Sequence, residues 1–528
     1  MFVATALGVF MIKKDLSLLT GKAEETGQGQ FESKNPSNLN DIVAVFGIAT
    51  EAQVEKACTK AKEAFKKWKK TPAPVRAGII QNFGKLLEKN KEALSQIVTR
   101  EMGKPIREAR GDVQEAIDTC NFFVSEGRRL YGMTIPSEMP NKELYTYRRP
   151  IGVFACITSS NFPVAVPSWY FVPALVAGNT CVWKSPQDSS LTSYYFAQLL
   201  YKAGLPDGVF NILFGKGSQS TGEYLINAVN KGLVDKFGFT GSTEVGRHIG
   251  EVCGRNLQNP CLELGGKNPM VVMEDADIDL AVIGALWSGF GTAGQRCTSL
   301  GNLILHQSIR EKFLKSLVEK VADLKIGDPM KEETSYGPMI SEKFLNDHLK
   351  NLETLIEPHH KLLTNPNGRI TSKKPWKNFV GDPDAGVFAF PTIVDNVQAK
   401  DKLYSTETFG PFFNVMTCRD LNEALALAND TGYGLSSAIY TNTPRYVYQW
   451  KEEITAGMTS INNSTTGAEA HLPFGGNGKS GNGSRQSGVW VLDQFTKWQS
   501  VNWDLSGKLQ LAQMDTAYVE PDLNYTIG

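Results

Sequence analysis

The sequence predicts an α/β protein built around an open parallel sheet of the dinucleotide-binding type, and three observations carry that expectation. From about residue 150 onward, apolar runs of four or five residues alternate with stretches of helical periodicity; such runs between turn signals read as strands buried on both faces, and their alternation with helices implies parallel βαβ units. The segment Phe239-Thr-Gly-Ser-Thr-Glu-Val-Gly246 passes from one such run into a helical pattern, and the free amides at a helix start favour a pyrophosphate there. At 528 residues the chain exceeds what one hydrophobic core organises. A second alternating block, over about 267–460, answers to that length.

Met1 to Ile12 is almost wholly apolar and is followed by Lys13-Lys14. A signal peptide carries its charge before the apolar run, and a span of about 12 residues is too short for a bilayer, so an N-terminal extension is expected. Residues 51–70 place Val54, Ala57, Cys58, Ala61, Phe65 and Trp68 on one helical face. Pro72 and Pro74 break that helix, and helical patterns resume over 75–100 and 105–130. Then VFACI (153–157), TCVW (180–183), FNILF (210–214), KFGFT (236–240) and PCLEL (260–264) read as buried parallel strands, with helices over 191–203 and 218–231 between them. In the second block PMVVM (269–273) and LILH (303–306) read as strands and 308–324 as a helix. The segment 495–503 returns to strand character, and no internal repeat or long low-complexity tract is visible.

Lys+Arg and Asp+Glu both total 55. The zero balance gives no global attraction for nucleic acid or an anionic membrane. The apolar stretch 151–183 is interrupted by Pro163, Pro167, Pro173 and Asn179, which argues against a membrane helix. The eight Cys form no CxxC pair, and the six His form no HExxH or Cys/His cluster. Reduced thiols in a cytoplasmic setting and no metal site are therefore expected.

Four segments carry candidate chemistry. In Phe290-Gly-Thr-Ala-Gly-Gln-Arg-Cys297-Thr, a glycine-rich approach leads to a lone Cys beside an Arg. A thiolate is the reactive form and small neighbours admit a substrate, although a single Cys is more often an apolar filler. In Cys261-Leu-Glu263-Leu-Gly265-Gly266, a Glu stands at an apolar strand end; burial raises a carboxyl pKa and suits a general base near neutrality, and a capping or ion-paired Glu is the other reading. Asn161, in Ser159-Ser-Asn161-Phe-Pro163, leaves the first strand of the sheet where its amide could meet an oxyanion; a turn Asn before Pro is the other reading. The fourth is the Gly241-Ser242 turn, which lacks a full GxGxxG and is weak by itself.

Together, in this order and spacing, these segments resemble the aldehyde dehydrogenase superfamily over about residues 30–500, joined by Trp183-Lys184, Glu407-Thr-Phe409-Gly-Pro411 and Pro473-Phe474-Gly475-Gly476. The resemblance implies a Rossmann-type cofactor domain (1–132 and 151–265), an α/β catalytic domain (266–460) and a small β bridging element (133–150 and 490–528), assembled as a homodimer or homotetramer through Tyr145–Arg149 and 495–503. It implies Cys297 as nucleophile, Asn161 with the Cys297 amide as oxyanion hole, and Glu263 as the base that activates water. It places Lys184 at the adenosine ribose, Ser242 at the pyrophosphate, Glu407 and Phe409 at the nicotinamide ribose and ring, and Thr158, Gln187, Gly241 and Gly265 along the same NAD or NADP site. The aldehyde would form a thiohemiacetal on Cys297, lose hydride to the cofactor and be released as the acid by hydrolysis. Glu263 favours water over CoA as acyl acceptor, and intact Cys297, Glu263, Asn161 and Lys184 argue against a catalytically silent protein on this fold.

Many NAD-preferring relatives carry Lys-Pro-Ser-Glu where this chain has Lys184-Ser-Pro-Gln187. Without that acid a 2′-phosphate meets no repulsion, so NADP⁺ is admitted beside a favoured NAD⁺. Asn161–Val166, Gly291–Thr298 and Thr465-Thr-Gly467-Ala468-Glu469 look most like the antiquitin-type branch, which oxidises aminoadipate semialdehyde. That likeness implies a carboxylated semialdehyde held by Arg296 and the Gly467-Ala468-Glu469 loop, with Glu115 facing an ammonium and Trp169 and Phe474 as walls. An Arg grips a carboxylate bidentately. The run Phe474-Gly-Gly-Asn477-Gly478-Lys479 departs from that branch's Phe-Gly-Gly-Glu-Lys.

Overall fold

The computed structural model describes residues 2–4, 10–13, 15–364, 366–516 and 519–528. Helices α1 (Glu51–Trp68), α2 (Ala73–Lys89), α3 (Lys91–Met102) and α4 (Ile106–Glu126) form the expected helical block. α1 starts on a capping box between Thr50 and Gln53 and buries Val54, Ala57, Cys58, Ala61 and Trp68. The single helical stretch read over 75–100 is two helices that share Asn90, whose backbone N–H closes onto Leu86 and Leu87. α3 stops at Gly103, which has φ +80°.

The first sheet contains β1 (Leu16–Thr20), β2 (Ala23–Thr26), β3 (Val153–Ile157), β4 (Thr180–Lys184), β5 (Phe210–Leu213), β6 (Lys236–Thr240) and β7 (Cys261–Glu263), in the spatial order β7-β6-β3-β4-β5-β1-β2. β3 to β7 run parallel, and the β1–β2 hairpin adds an antiparallel edge on β5. The sequence reading missed this hairpin, because a five-residue apolar run (LSLLT) is buried by its neighbours rather than marked by any local signal. Helices α5 (Ala165–Ala177), α6 (Ser190–Lys202), α7 (Thr221–Asn230) and α8 (Thr243–Arg255) make the crossovers. Alternate residues of β3 face opposite cores: Val153, Ala155 and Ile157 on one side, Phe154 and Cys156 on the other. The chain winds β3-β4-β5 one way and then returns to place β6 on the other side of β3. Ligands of such sheets bind beyond the strand ends at this reversal. Every residue of α5 is buried and Pro173 lies inside it. Among the described residues no helix is long and apolar enough to cross a membrane.

The second sheet is built from β8 (Asn268–Val272), α9 (Ile278–Phe290), β9 (Leu300–His306), α10 (Arg310–Ala322), α11 (Glu342–Leu355), β10 (Lys361–Leu362), β11 (Thr392–Asp395), β12 (Phe412–Cys418), β13 (Ala438–Tyr440) and β14 (Ser460–Ile461). Its strand order is β10-β11-β12-β9-β8-β13-β14, parallel except at the β10 edge. A third, antiparallel sheet pairs Lys142–Pro150 with Thr496–Asp504 along their full length and with Thr134–Ile135. Of the apolar N-terminal run, residues 1 and 5–9 lie outside the described residues. Phe2–Ala4 and Phe10–Lys13 pair with each other, and the latter pairs in parallel with Asn38–Gly47.

Candidate active site

A cavity of about 1020 Å³ opens between the ends of β3 and β6 and the loop that follows α9. Asn161, Trp169, Gly241, Ser242, Gly265, Arg296, Cys297, Glu407, Phe409, Gly467, Ala468, Phe474 and Glu115 all line it. Thirteen residues separated by hundreds of positions in the chain thus share one wall.

The loop carrying Cys297 is strained. Thr292, Ala293 and Gly294 follow one another in the left-handed region, with φ 51°, 53° and 67°. For non-glycine residues that conformation costs roughly 1–2 kcal/mol each, so neighbours must hold it. Glu108 of α4 accepts from the Thr292 N–H (3.1 Å), the Thr292 hydroxyl and Arg296. The Gln295 side chain bonds the Thr292 carbonyl and receives the Ile340 N–H. Gly294 admits the close pass of Gly410, whose carbonyl a Cβ would meet at 1.9 Å. Asn268 donates to the Cys297 carbonyl at 2.8 Å. All eight cysteines are free; seven are buried and Cys297 alone is half-buried. Burial first, then the Glu263 and Glu407 carboxylates, push its thiol up to about 12.

Asn161 is oriented from both ends. Ser159 donates to its Oδ1 at 2.7 Å, and its Nδ2 donates to the Gln295 carbonyl at 2.9 Å. Glu263 ends β7, opposite Thr240 of β6, and neither carboxyl oxygen has a hydrogen-bond partner. Burial holds its pKa well above the usual carboxylate range, opposed only by Arg485. It is not among the residues that line the cavity, and a Cβ on Gly475 would lie 2.8 Å from its Oε1. Glu407 takes the Gly266 N–H at 3.1 Å, and a Cβ at 265 would meet its Oε2 at 2.0 Å, so any side chain there would displace the carboxylate. Burial pushes Glu407 up to about 7, opposed by the Gly266 N–H and Lys267.

Five expected residues stand apart from the cavity lining, Glu263 among them. Thr158 accepts the Trp183 indole N–H at 3.0 Å. Lys184 ends β4, pushed down to about 8 by burial, and Gln187 opens the short turn that follows it. Glu469 is a correction: its side chain is exposed and pairs with His471 at 3.2 Å, so it faces solvent rather than a head group. Two residues that do line the cavity meet neighbours that the sequence does not show. Arg296 is not a free cation but is paired with Glu108 at 2.5 Å and stacked over Trp287 at 4.2 Å. Glu115 is pushed up to about 8 by burial, with Asp112 adding to the effect. It is therefore neutral near pH 7 and a poor partner for an ammonium.

Sequence reading named Glu115 of α4 but missed the other charged residues of its buried face. Lys104, just before it, pairs with Asp112 at 3.2 Å, both fully buried, and lies 3.5 Å from the Phe162 ring centre. Asp112 also accepts the first amide of α5, that of Ala165, at 2.7 Å. The spacing 104, 108, 112 and 115 marks one helical face, but charged residues on an amphipathic helix read by default as its solvated side. Among the described residues one group, His359, His360 and Asp401, brings three ligand-type atoms within 4.8 Å of one another. The Glu357 N–H donates to His360 Nδ1, so Nε2 carries the proton and donates to Asp401 at 2.9 Å. That tautomer makes the group a hydrogen-bonded corner.

The residues fit a dinucleotide. The cavity runs from the start of α8, capped by Ser242, past Glu407 and Phe409 to Cys297, and is large for a small aldehyde alone. His348, buried in its wall, has two ring nitrogens without a protein partner.

Residues 23–501 match the family model described as the aldehyde dehydrogenase family. The alpha-ketoglutaric semialdehyde dehydrogenase of Bacillus subtilis (strain 168) is 33% identical over 492 residues, covering 92% of this chain and 97% of that protein. Aldehyde dehydrogenase family 7 member A1 of Malus domestica is 34% identical over 501 residues, covering 94% of each. The crystal structure of betaine aldehyde dehydrogenase from Staphylococcus aureus in complex with NAD⁺ superimposes with a TM-score of 0.88 at 27% identity, covering 94% of this chain and 96% of that one. With its strained cysteine loop set beside a dinucleotide-sized cavity, the chain belongs to the aldehyde dehydrogenase family and is an NAD(P)⁺-dependent aldehyde dehydrogenase.

Proposed function

We propose that the substrate is a carboxylated semialdehyde, oxidised on Cys297 and released as the acid. The observation that carries this reading is the guanidinium of Arg296 in the wall of the cavity that also holds Cys297. The side chain is buried, and its partner Glu108 also accepts two bonds from Thr292. A substrate carboxylate could take over Arg296 while Glu108 stayed anchored to Thr292. The similarity to the Bacillus subtilis alpha-ketoglutaric semialdehyde dehydrogenase points the same way. An amino-acid head group such as that of aminoadipate semialdehyde finds less support, since Glu115 is neutral near pH 7 and Glu469 faces solvent.

In this reading the Cys297 thiolate adds to the aldehyde carbon. The second N–H of the Asn161 amide and the Cys297 backbone N–H receive the oxyanion. When bound, the oxidised nicotinamide ring supplies the hydride acceptor that turns the thiohemiacetal into a thioester. Glu263 takes a proton from water, which attacks the thioester carbonyl and expels the Cys297 thiolate. Ser242, Gly241 and the start of α8 would hold the pyrophosphate, Lys184, Gln187 and Thr158 the adenosine side, and Glu407, Phe409 and Gly265 the nicotinamide side. NAD⁺ is the favoured form and NADP⁺ is admitted, since Gln187 brings no negative charge against a 2′-phosphate.

The test compares kcat/KM for semialdehydes of α-ketoglutarate, succinate and aminoadipate with that for hexanal, each with both cofactors. Carboxylated substrates should lead. Arg296→Met should raise their KM by about tenfold or more while leaving hexanal within about threefold. Equal losses for both substrate classes would overturn the assignment of Arg296.

We further propose the three-domain division and assembly through the antiparallel third sheet. Its strands expose Tyr147, Trp498 and Trp503, an amount of aromatic surface that suits a self-complementary contact. In analytical ultracentrifugation the wild type should sediment as a dimer or tetramer, and Trp498→Lys/Trp503→Lys as smaller species. An unchanged sedimentation coefficient would exclude this sheet as the contact.

A further inference from the structure

A fully buried cation, Lys104, takes no part in the chemistry proposed for Cys297. It lies between Gly103, where α3 stops, and the start of α4. The Ile106 N–H donates to the Pro329 carbonyl at 2.9 Å and fixes the backbone beside it. Neither Lys104 nor its partner Asp112 exposes any side-chain surface. Apolar residues of similar volume often serve stability as well as such a pair does, so stability alone does not account for it. Burial lowers the pKa of Lys104, and the carboxylates of Asp112 and Glu108 oppose that loss of charge.

The contacts of the pair run to the segment 161–165. The ammonium stands 3.5 Å from the centre of the Phe162 ring, and Phe162 directly follows Asn161. A desolvated cation is drawn to a ring face. Asp112 accepts the Ala165 N–H at 2.7 Å. The pair thus grips this segment twice, at the ring of 162 and at the amide of 165. One turn earlier on α4, Glu108 accepts the Thr292 N–H at 3.1 Å and also binds Arg296, holding the loop of Cys297. The two gripped segments meet where Asn161 Nδ2 donates to the Gln295 carbonyl at 2.9 Å. One helix face therefore sets the amide and the thiol relative to each other.

We infer that Lys104 is a positioning residue for the oxyanion amide: through the Phe162 ring it holds Asn161 in register with Cys297. An oxyanion donor acts only from a fixed place, so a small displacement slows thiohemiacetal formation without touching the sulfur. The inference rests on the reading of Asn161 as oxyanion donor proposed above.

The experiment reads the first-turnover burst of reduced cofactor in the full-length protein, by stopped-flow absorbance at saturating succinate semialdehyde and NAD⁺. Asn161→Ala should slow the burst by about 10²-fold or more, as loss of an oxyanion donor does. Lys104→Met/Asp112→Asn removes the cation without stranding a buried carboxylate, and the asparagine oxygen still accepts the Ala165 N–H. It should slow the burst by about tenfold. Phe162→Leu, which leaves every charge in place, should do the same. In the Asn161→Ala background neither change should slow the burst by more than about twofold, because the group they position is gone. The Kd for NAD⁺ and the rate of Cys297 alkylation by iodoacetamide, which needs no oxyanion donor, should stay within about twofold. Losses that multiply in the Asn161→Ala background, or alkylation that slows in step with the burst, would mark a general packing role and overturn the inference. An unchanged burst in Phe162→Leu or in the Lys104 variant, beside a slow Asn161→Ala, overturns it while the reading of Asn161 stands. A fast burst in Asn161→Ala removes that reading, and the inference with it.

Discussion

Cys297→Ala should abolish aldehyde oxidation, by roughly 10⁴-fold or more in kcat, and leave the Kd for NAD⁺ within about twofold. Losses of this size follow removal of a nucleophile because the remaining site retains only binding and polarisation. No other thiol can substitute, since the remaining seven are buried. The loop should survive the change, because its contacts run through the Cys297 carbonyl, Thr292 and Gln295 rather than through sulfur. Stopped-flow absorbance of reduced cofactor measures the first quantity and calorimetry the second; turnover retained within tenfold of wild type would remove Cys297 from the mechanism. A related expectation concerns pH. With the thiol pushed up to about 12 in the cofactor-free protein, alkylation by iodoacetamide should be slow at neutral pH. It should accelerate by about tenfold per pH unit as the thiolate fraction grows.

Glu263→Gln separates the two halves of the reaction. The first turnover should release a stoichiometric burst of reduced cofactor, because thiolate addition does not call on this carboxyl. Steady turnover should then fall by roughly 10²–10⁴-fold, the range of a positioned base. The sign of the pH dependence follows from burial. Only the ionised carboxylate accepts a proton from water, and burial raises the pKa of Glu263. Deacylation in the wild type should therefore rise with pH through a midpoint above the ordinary carboxylate range, and that limb should vanish in the variant. A lost burst would place the base before the thioester; an unchanged steady rate would assign water activation elsewhere. In the structure the carboxyl lies against Gly475, and Glu263 is not among the residues that line the cavity. A Cβ at Gly475, which has φ +153°, would lie 2.8 Å from the Glu263 Oε1, so Gly475→Ala should disturb this carboxyl and slow deacylation as well.

The strands named between 150 and 306, and the helices over 191–203, 218–231 and 308–324, were legible because each is a local pattern. VFACI, TCVW, FNILF, KFGFT and PCLEL all became strands of one sheet, with bounds shifted by a residue or two. The hairpin of β1 and β2 was not legible, since its apolar half owes its place to pairing with β5, nearly two hundred residues away. The break at Asn90 escaped for a related reason: Asn interrupts a helix only when the next helix leaves in another direction, and no local signal states that direction.

The order of motifs along the chain was enough to place it in the aldehyde dehydrogenase family, and it put forward a nucleophile, a base, an oxyanion amide and a dinucleotide turn, because each needs a particular residue type at a particular strand or helix end. What those groups meet across the fold was decided only in three dimensions. Arg296 looked free beside Cys297, yet Glu108 arrives from a helix almost two hundred positions earlier and takes it. Glu115 looked like an anion, yet burial beside Asp112 leaves it neutral near pH 7. Glu469 sat in the expected anchor loop, yet its backbone turns it to solvent and His471. Lys104 gave no signal at all until the fold set it over the ring of Phe162. Residue type and spacing are local properties and survive in the string of letters. Charge state, pairing and exposure depend on desolvation and on neighbours remote in the chain, and those exist only once the chain has folded.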